Sequence, residues 1–171
     1  MSKQKHENID QNVIDDFGNE WDRYKQNNNN IDLDDAFEQY FRIFPSEFLS
    51  EQKIGFDAGC GSGRWAKYIA PKVKNLYCIE PSKKAIKVAK TNLNFTDNCI
   101  FECCSINSSK IKDETMDFGY CLGVLHHIPN TKNALLSCTK KLKKGISAPN
   151  IDKSVSYSKN IRGDKLDFYF N

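Results

Sequence analysis

The chain has 171 residues, and its 25 lysines and arginines against 22 acidic residues leave a formal charge of +3. That length allows one α/β domain and is short for two, and so even a balance gives no electrostatic case for nucleic acid. No apolar run approaches the roughly 20 residues of a membrane span, and Met1–His6 lacks the apolar core of a signal peptide, so a cytoplasmic enzyme without membrane contact is expected.

In chain order, residues 1–30 are polar and end in Gln26-Asn27-Asn28-Asn29-Asn30, while Phe17, Trp21 and Tyr24 recur at helical spacing. From Ile31 to Phe44 the residues Leu33, Phe37, Tyr40, Phe41 and Phe44 mark one helix face, which Pro45 ends. Strands are predicted over Lys53–Ala58, Leu76–Ile79, Cys99–Cys104 and Met116–Leu122. Helices follow over Arg64–Ala70, Ser82–Leu93 and Thr131–Lys143, the last capped by Gly145. Such alternation implies parallel pairing through right-handed crossovers, with ligands at the carboxyl ends of the strands. Asp57, Glu80, Ser105 and Cys121 all fall at or just beyond those ends. The seven cysteines include no C-x-x-C pair, which predicts reduced, buried thiols acting as small hydrophobes and no zinc or other metal site.

The stretch Asp57-Ala58-Gly59-Cys60-Gly61-Ser62-Gly63 reads as strand, glycine turn and helix start. Its glycines let backbone approach a ligand, and the helix beyond offers unpaired N–H groups. Asp57 would repel a phosphate and welcome a cation. Two ligands stay open at this point. Gly61, Gly63 and Ala66 also fit the G-x-G-x-x-A variant of the dinucleotide fingerprint, with Glu80 near the place of its ribose-binding acid.

The turn resembles motif I of the class I methyltransferases that use S-adenosylmethionine. A second match follows in Asp117-Phe118-Gly119-Tyr120-Cys121-Leu122-Gly123-Val124-Leu125-His126-His127-Ile128-Pro129, which is similar to that family's fourth-strand motif. The resemblance implies a Rossmann-like α/β fold, a mostly parallel sheet flanked by helices, and methyl transfer to a small-molecule acceptor. It places the cofactor on Asp57, Gly59, Cys60, Gly61 and Gly63, with Glu80 and Pro81 at the ribose. Ser105, where many members carry an acid, and Ile106 would meet the adenine; Cys121, Leu122 and Gly123 would close the site. His126 is the candidate catalytic residue as a proton acceptor, with His127 structural, as paired histidines in this loop often are. Phe17, Trp21 and Tyr24 either pack an N-terminal helix or form an aromatic lid over the sulfonium.

Residues 1–52 thus read as a polar segment and helical cap, 53–145 as the cofactor-binding core, and 146–171 as an atypical tail. The tail offers a weak hairpin, Val155–Ser158 with Leu166–Phe170 around Gly163. Against the seven strands the resemblance implies, four leave the fold incomplete at its C-terminal side, as in a truncated or frameshifted copy or a sheet that a partner completes. A bare edge on the fourth strand then predicts self-association and little turnover. The alternatives are a non-catalytic protein binding the cofactor or a partner, and an NAD(P)-binding oxidoreductase.

Overall fold

A computed structural model describes residues 8–23, 30–42, 44, 46, 49–144, 155–159 and 166–170. Expectations placed on Tyr24, Pro45, Gly145 and Gly163 lie outside these residues. The elements are α1 (Gln11–Arg23), α2 (Asn30–Phe41), β1 (Ile54–Ala58), α3 (Ala66–Ile69), β2 (Asn75–Ile79), α4 (Lys83–Asn92) and β3 (Cys99–Glu102). They continue with β4 (Phe118–Cys121), α5 (Thr131–Lys141), β5 (Val155–Lys159) and β6 (Leu166–Phe170). No described helix is long and apolar enough to cross a membrane.

Side-chain caps fix the helix starts that matter here. Asp10 accepts from the N–H groups of Asn12 and Val13 at 3.0 and 3.4 Å, Ser82 from Ala85, and Asn130 from Asn133. Two elements are shorter than the sequence pattern predicts. The apolar spacing of 64–70 yields four residues of α-helix and a tight turn at Ala70–Lys72, where Pro71 has no N–H to extend the ladder. At the end of α5, Leu142 leaves the helix to bridge Met116 beside β4. Cys103 and Cys104 likewise lie past the end of β3 rather than on it.

The sheet order is β3-β2-β1-β4-β6-β5. Strands β1 to β4 pair in parallel, whereas β6 runs antiparallel to both β4 and β5. This corrects the expectation of a bare fourth strand. The register Gly119↔Phe170, Tyr120↔Tyr169, Cys121↔Phe168 lays β6 along the outer edge of β4, so that edge is not free for self-association. The tail's alternation of polar and apolar residues is weak, but backbone pairing needs only an extended segment in reach.

Alternation along each strand separates two cores. On one face Leu76, Cys78, Phe118 and Tyr120 pack against α2, α3 and α4 through Phe41, Trp65, Ile69 and Leu93. On the other Phe56, Ala58, Ile79 and Cys121 pack against Leu125, Ala134 and Cys138. Phe118 fills the space over Gly55, and Phe56 the space over Gly119, where an added Cβ would come within 2.2 Å of each ring. These glycines make room for large neighbours.

Candidate functional site

A cavity opens at the carboxyl ends of β1, β2 and β4, as parallel α/β sheets dictate. Its floor is Ala58, Gly59, Gly61 and Cys121, and one wall is Glu80, Pro81, Ser105 and Ile106. The start of α1 roofs it with Ile9, Val13, Ile14 and Phe17.

The glycine turn is held by backbone. Gly59 and Cys60 both donate to the Ile79 carbonyl, at 2.8 and 3.1 Å, and Gly63 donates to Cys60 at 2.8 Å. Asn92 of α4 ties the Ser62 carbonyl at 3.0 Å. Gly59 sits at φ 81°, and a Cβ there would lie 2.5 Å from Val124, so a side chain is barred by conformation and by space. Helix α3 starts only at Ala66, three residues past the last glycine, and within the turn the Gly61 N–H is committed to Glu80.

Glu80 is buried and gripped at both oxygens. Gly61 N–H donates to Oε2 at 3.1 Å and Ser82 N–H to Oε1 at 2.8 Å. Burial raises its pKa, and the two N–H groups pull it back. Each oxygen keeps a further lone pair, and Glu80 lines the cavity. Beside it, the buried Ser105 hydroxyl meets Ser108 Oγ at 2.7 Å.

Strand alternation sorts the other predicted residues. Ala58 faces the cavity, so Asp57 points through the sheet into the opposite core; likewise Cys121 and Gly123 line the cavity while Leu122 packs below. Cys60 belongs to that lower core, and Gly63 abuts Leu93. Asp57, Cys60, Gly63 and Leu122 therefore do not line the cavity. Asp57 is 2% exposed and faces Tyr120 across the β1–β4 register. Burial raises its pKa to about 8; the neighbouring Tyr120 phenol and, more weakly, Arg64 offset part of this, while the Glu80 charge adds to it. Yet neither Asp57 Oδ2 nor the Tyr120 hydroxyl completes a hydrogen bond among the described residues. Gly123, at φ 70°, is open instead: an added Cβ would meet nothing within 4 Å.

The histidines separate as well. A turn at Leu125–His127 leaves His126 exposed and brings His127 to the cavity, where Phe17 packs edge-on at 4.9 Å. The roof is fastened by Asn8. Its side chain donates to the Asn130 carbonyl and accepts from the Asn130 N–H, both at 2.8 Å, and also donates to Asn107 Oδ1 at 3.2 Å. Of these roof residues, Phe17 alone carried a sequence signal, through its helical spacing. Asn8, Ile9, Val13 and Ile14 sit in a polar segment that carries no motif.

Residues 56–146, more than half of the chain, match the family model described as "Methyltransferase domain". The ubiquinone biosynthesis O-methyltransferase of Nitrosomonas europaea is 30% identical over 105 residues, covering 57% of this chain and 42% of that protein. The chain thus spans under half of that relative's length. Among solved structures, the N-methyltransferase NodS of Bradyrhizobium japonicum, in complex with S-adenosyl-L-homocysteine, superposes with a TM-score of 0.68 at 15% identity. The match covers 93% of this chain and 96% of NodS. The YcgJ protein of Bacillus subtilis gives a TM-score of 0.55 at 19% identity, over 66% of this chain and 46% of YcgJ. These structures carry the fold; the family model carries the lineage. A glycine turn, a buried acid ending β2 and a histidine turn after β4 surround one cavity within the matched segment, and the chain belongs to the class I, S-adenosylmethionine-dependent methyltransferase family.

Proposed function

We propose that the chain binds S-adenosylmethionine in this cavity and transfers its methyl group to a small-molecule acceptor. The observation that carries the reading is Glu80, a cavity-lining acid held by two backbone N–H groups with acceptor capacity to spare at each oxygen. A pair of ribose hydroxyls suits it, through charge-assisted hydrogen bonds. Pro81 and Ile106 give apolar walls for a base, and Ser105 a hydroxyl at its edge. The charged side chains among the described lining residues, Asp10 and Glu80, are both acidic, which favours a cationic ligand.

The bound cofactor supplies an electrophilic methyl on a cationic sulfur. The chain's own part is positioning: the glycine turn fixes the floor, Glu80 fixes the sugar, and the apolar roof keeps water out. Ordinary cytoplasmic residence is in keeping with seven free cysteines.

Thermal denaturation with added ligands tests the reading. S-adenosylhomocysteine should raise the melting temperature and NAD should not. Glu80→Ala should weaken S-adenosylhomocysteine binding by about 1.5–3 kcal/mol, the worth of hydrogen bonds to a charged group. Stabilisation by NAD alone would return the site to the dinucleotide class.

A further inference from the structure

On the cofactor reading above, we propose that the acceptor is an uncharged heteroaromatic molecule methylated at a pyridine-type nitrogen, and that Asp10 holds the cation this creates. Asp10, Val13, Ile14 and Phe17 fall at i, i+3, i+4 and i+7, one helix face, and all four line the cavity. The roof thus presents a carboxylate, two aliphatic side chains and an aromatic ring to one ligand. Asp10 Oδ1 caps α1 by accepting from Asn12 and Val13, and Oδ2 takes no part in that cap. Asp10 is exposed at the start of the helix, open to solvent as well as to the cavity.

Charge decides the class. Among the described lining residues the carboxylates are Asp10 and Glu80, and there is no lysine or arginine. The cofactor brings a positive sulfur, and the transfer must leave that charge somewhere. A phenol or alcohol loses a proton on the way, so its methylation discharges the cation and strands the carboxylates. A phenolate on its way in would also be repelled by them. An alkyl amine arrives protonated, with a pKa of about 10 as for lysine, and Asp10 would hold its proton in place. A pyridine-type nitrogen is uncharged at neutral pH, carries a lone pair in the ring plane and has no proton to lose. That lone pair forms the new N–C bond as the C–S bond breaks, and the C–S electron pair stays on sulfur as a neutral thioether. The positive charge passes from sulfur to the ring nitrogen, no proton moves, and the acidic cavity faces a cation before and after. The flat, apolar ring matches Val13, Ile14 and Phe17, and a ring cation beside an aromatic side chain gains cation–π attraction.

Quinoline and its fluorescent methylation product N-methylquinolinium are the probes. On the full chain saturated with S-adenosylhomocysteine, N-methylquinolinium should bind about fivefold tighter than its uncharged isostere 1-methylnaphthalene, the worth of an exposed ion pair with cation–π support. D10N and D10S both keep a capping side chain on α1. Each should cut that preference to about twofold or less, with the affinities for 1-methylnaphthalene and S-adenosylhomocysteine unchanged. Supplied with S-adenosylmethionine, the wild type should methylate quinoline in preference to 2-naphthol. Failure of the wild type to bind S-adenosylhomocysteine overturns the cofactor reading and this inference with it. On a chain that does bind it, equal affinity for the cation and its isostere overturns this inference alone, as does a cation preference that survives both substitutions. Substitutions that weaken S-adenosylhomocysteine instead would place Asp10 at the cofactor's amino group and also overturn it. So would quinoline left unmethylated, or methylated behind 2-naphthol. Should neither variant fold, the wild-type cation preference and the choice between quinoline and 2-naphthol decide.

Discussion

The two halves of the cavity are held by different forces. The floor and the Glu80 wall are fixed by buried backbone hydrogen bonds, from Gly59 and Cys60 to Ile79 and from Gly61 and Ser82 to Glu80. The roof is a short helix fastened by the side chain of Asn8 to Asn130, in an exposed position, and by Lys84 donating to Asn19 at 2.6 Å. Buried backbone bonds cannot be traded for water without leaving groups unpaired, whereas exposed side-chain bonds can. On these bonds alone, opening the floor costs more than opening the roof.

The largest effect should come from the floor. Gly59→Ala puts a Cβ 2.5 Å from Val124 in a residue at φ 81°. Backbone strain of about 1–2 kcal/mol adds to an overpacking cost of about 1–3 kcal/mol. Urea denaturation should show a loss of that combined order, and S-adenosylhomocysteine binding should fall below detection. A variant with ordinary stability and binding would mean the turn has slack that this backbone does not have.

A second prediction probes the acid beneath the floor. The Asp57 pKa is raised by burial to about 8. The folded protein therefore keeps a proton that the unfolded chain loses near 4. Its contribution to stability is full below the unfolded value and is lost as pH rises toward 8, at up to about 1.4 kcal/mol per pH unit. Asp57→Asn removes that titration, so the variant should gain on the wild type steadily between pH 5 and 8. Glu80, also raised, leaves a residual slope of the same sign. Parallel stability curves for the two proteins would show that Asp57 is ionised in the fold.

The difference between floor and roof also explains what could be read from sequence. Glycines at 59, 61 and 63 and an acid at 80 serve backbone geometry, which leaves a spaced signature. Strand positions were legible to within two residues because period and punctuation are local. Asp57 shows the limit: residue type and place suggest a cation partner, and only the side-chain alternation set by its pairing turns it away from the cavity. His126 and His127 share a sequence neighbourhood, and the tight turn chooses between them. The pairing of β6 with β4 was hidden for another reason. Its partner lies more than forty residues away, and a hairpin does not encode the strand it will join.

The smallest effect belongs to the roof. Asn8 makes two hydrogen bonds with Asn130 and one with Asn107, all of them replaceable by water, so Asn8→Ala should cost about 1 kcal/mol or less of global stability. Its consequence is kinetic. The α1 segment that carries Val13, Ile14 and Phe17 over the cavity would open more often while the floor stays intact. Stopped-flow measurement should find S-adenosylhomocysteine leaving severalfold faster, with a smaller change in its association rate. The contrast with Gly59→Ala is the point of the measurement, since one variant damages the site and the other only its cover. Equal dissociation rates for wild type and Asn8→Ala would show that the ligand does not leave beneath α1, and that the roof is as fixed as the floor.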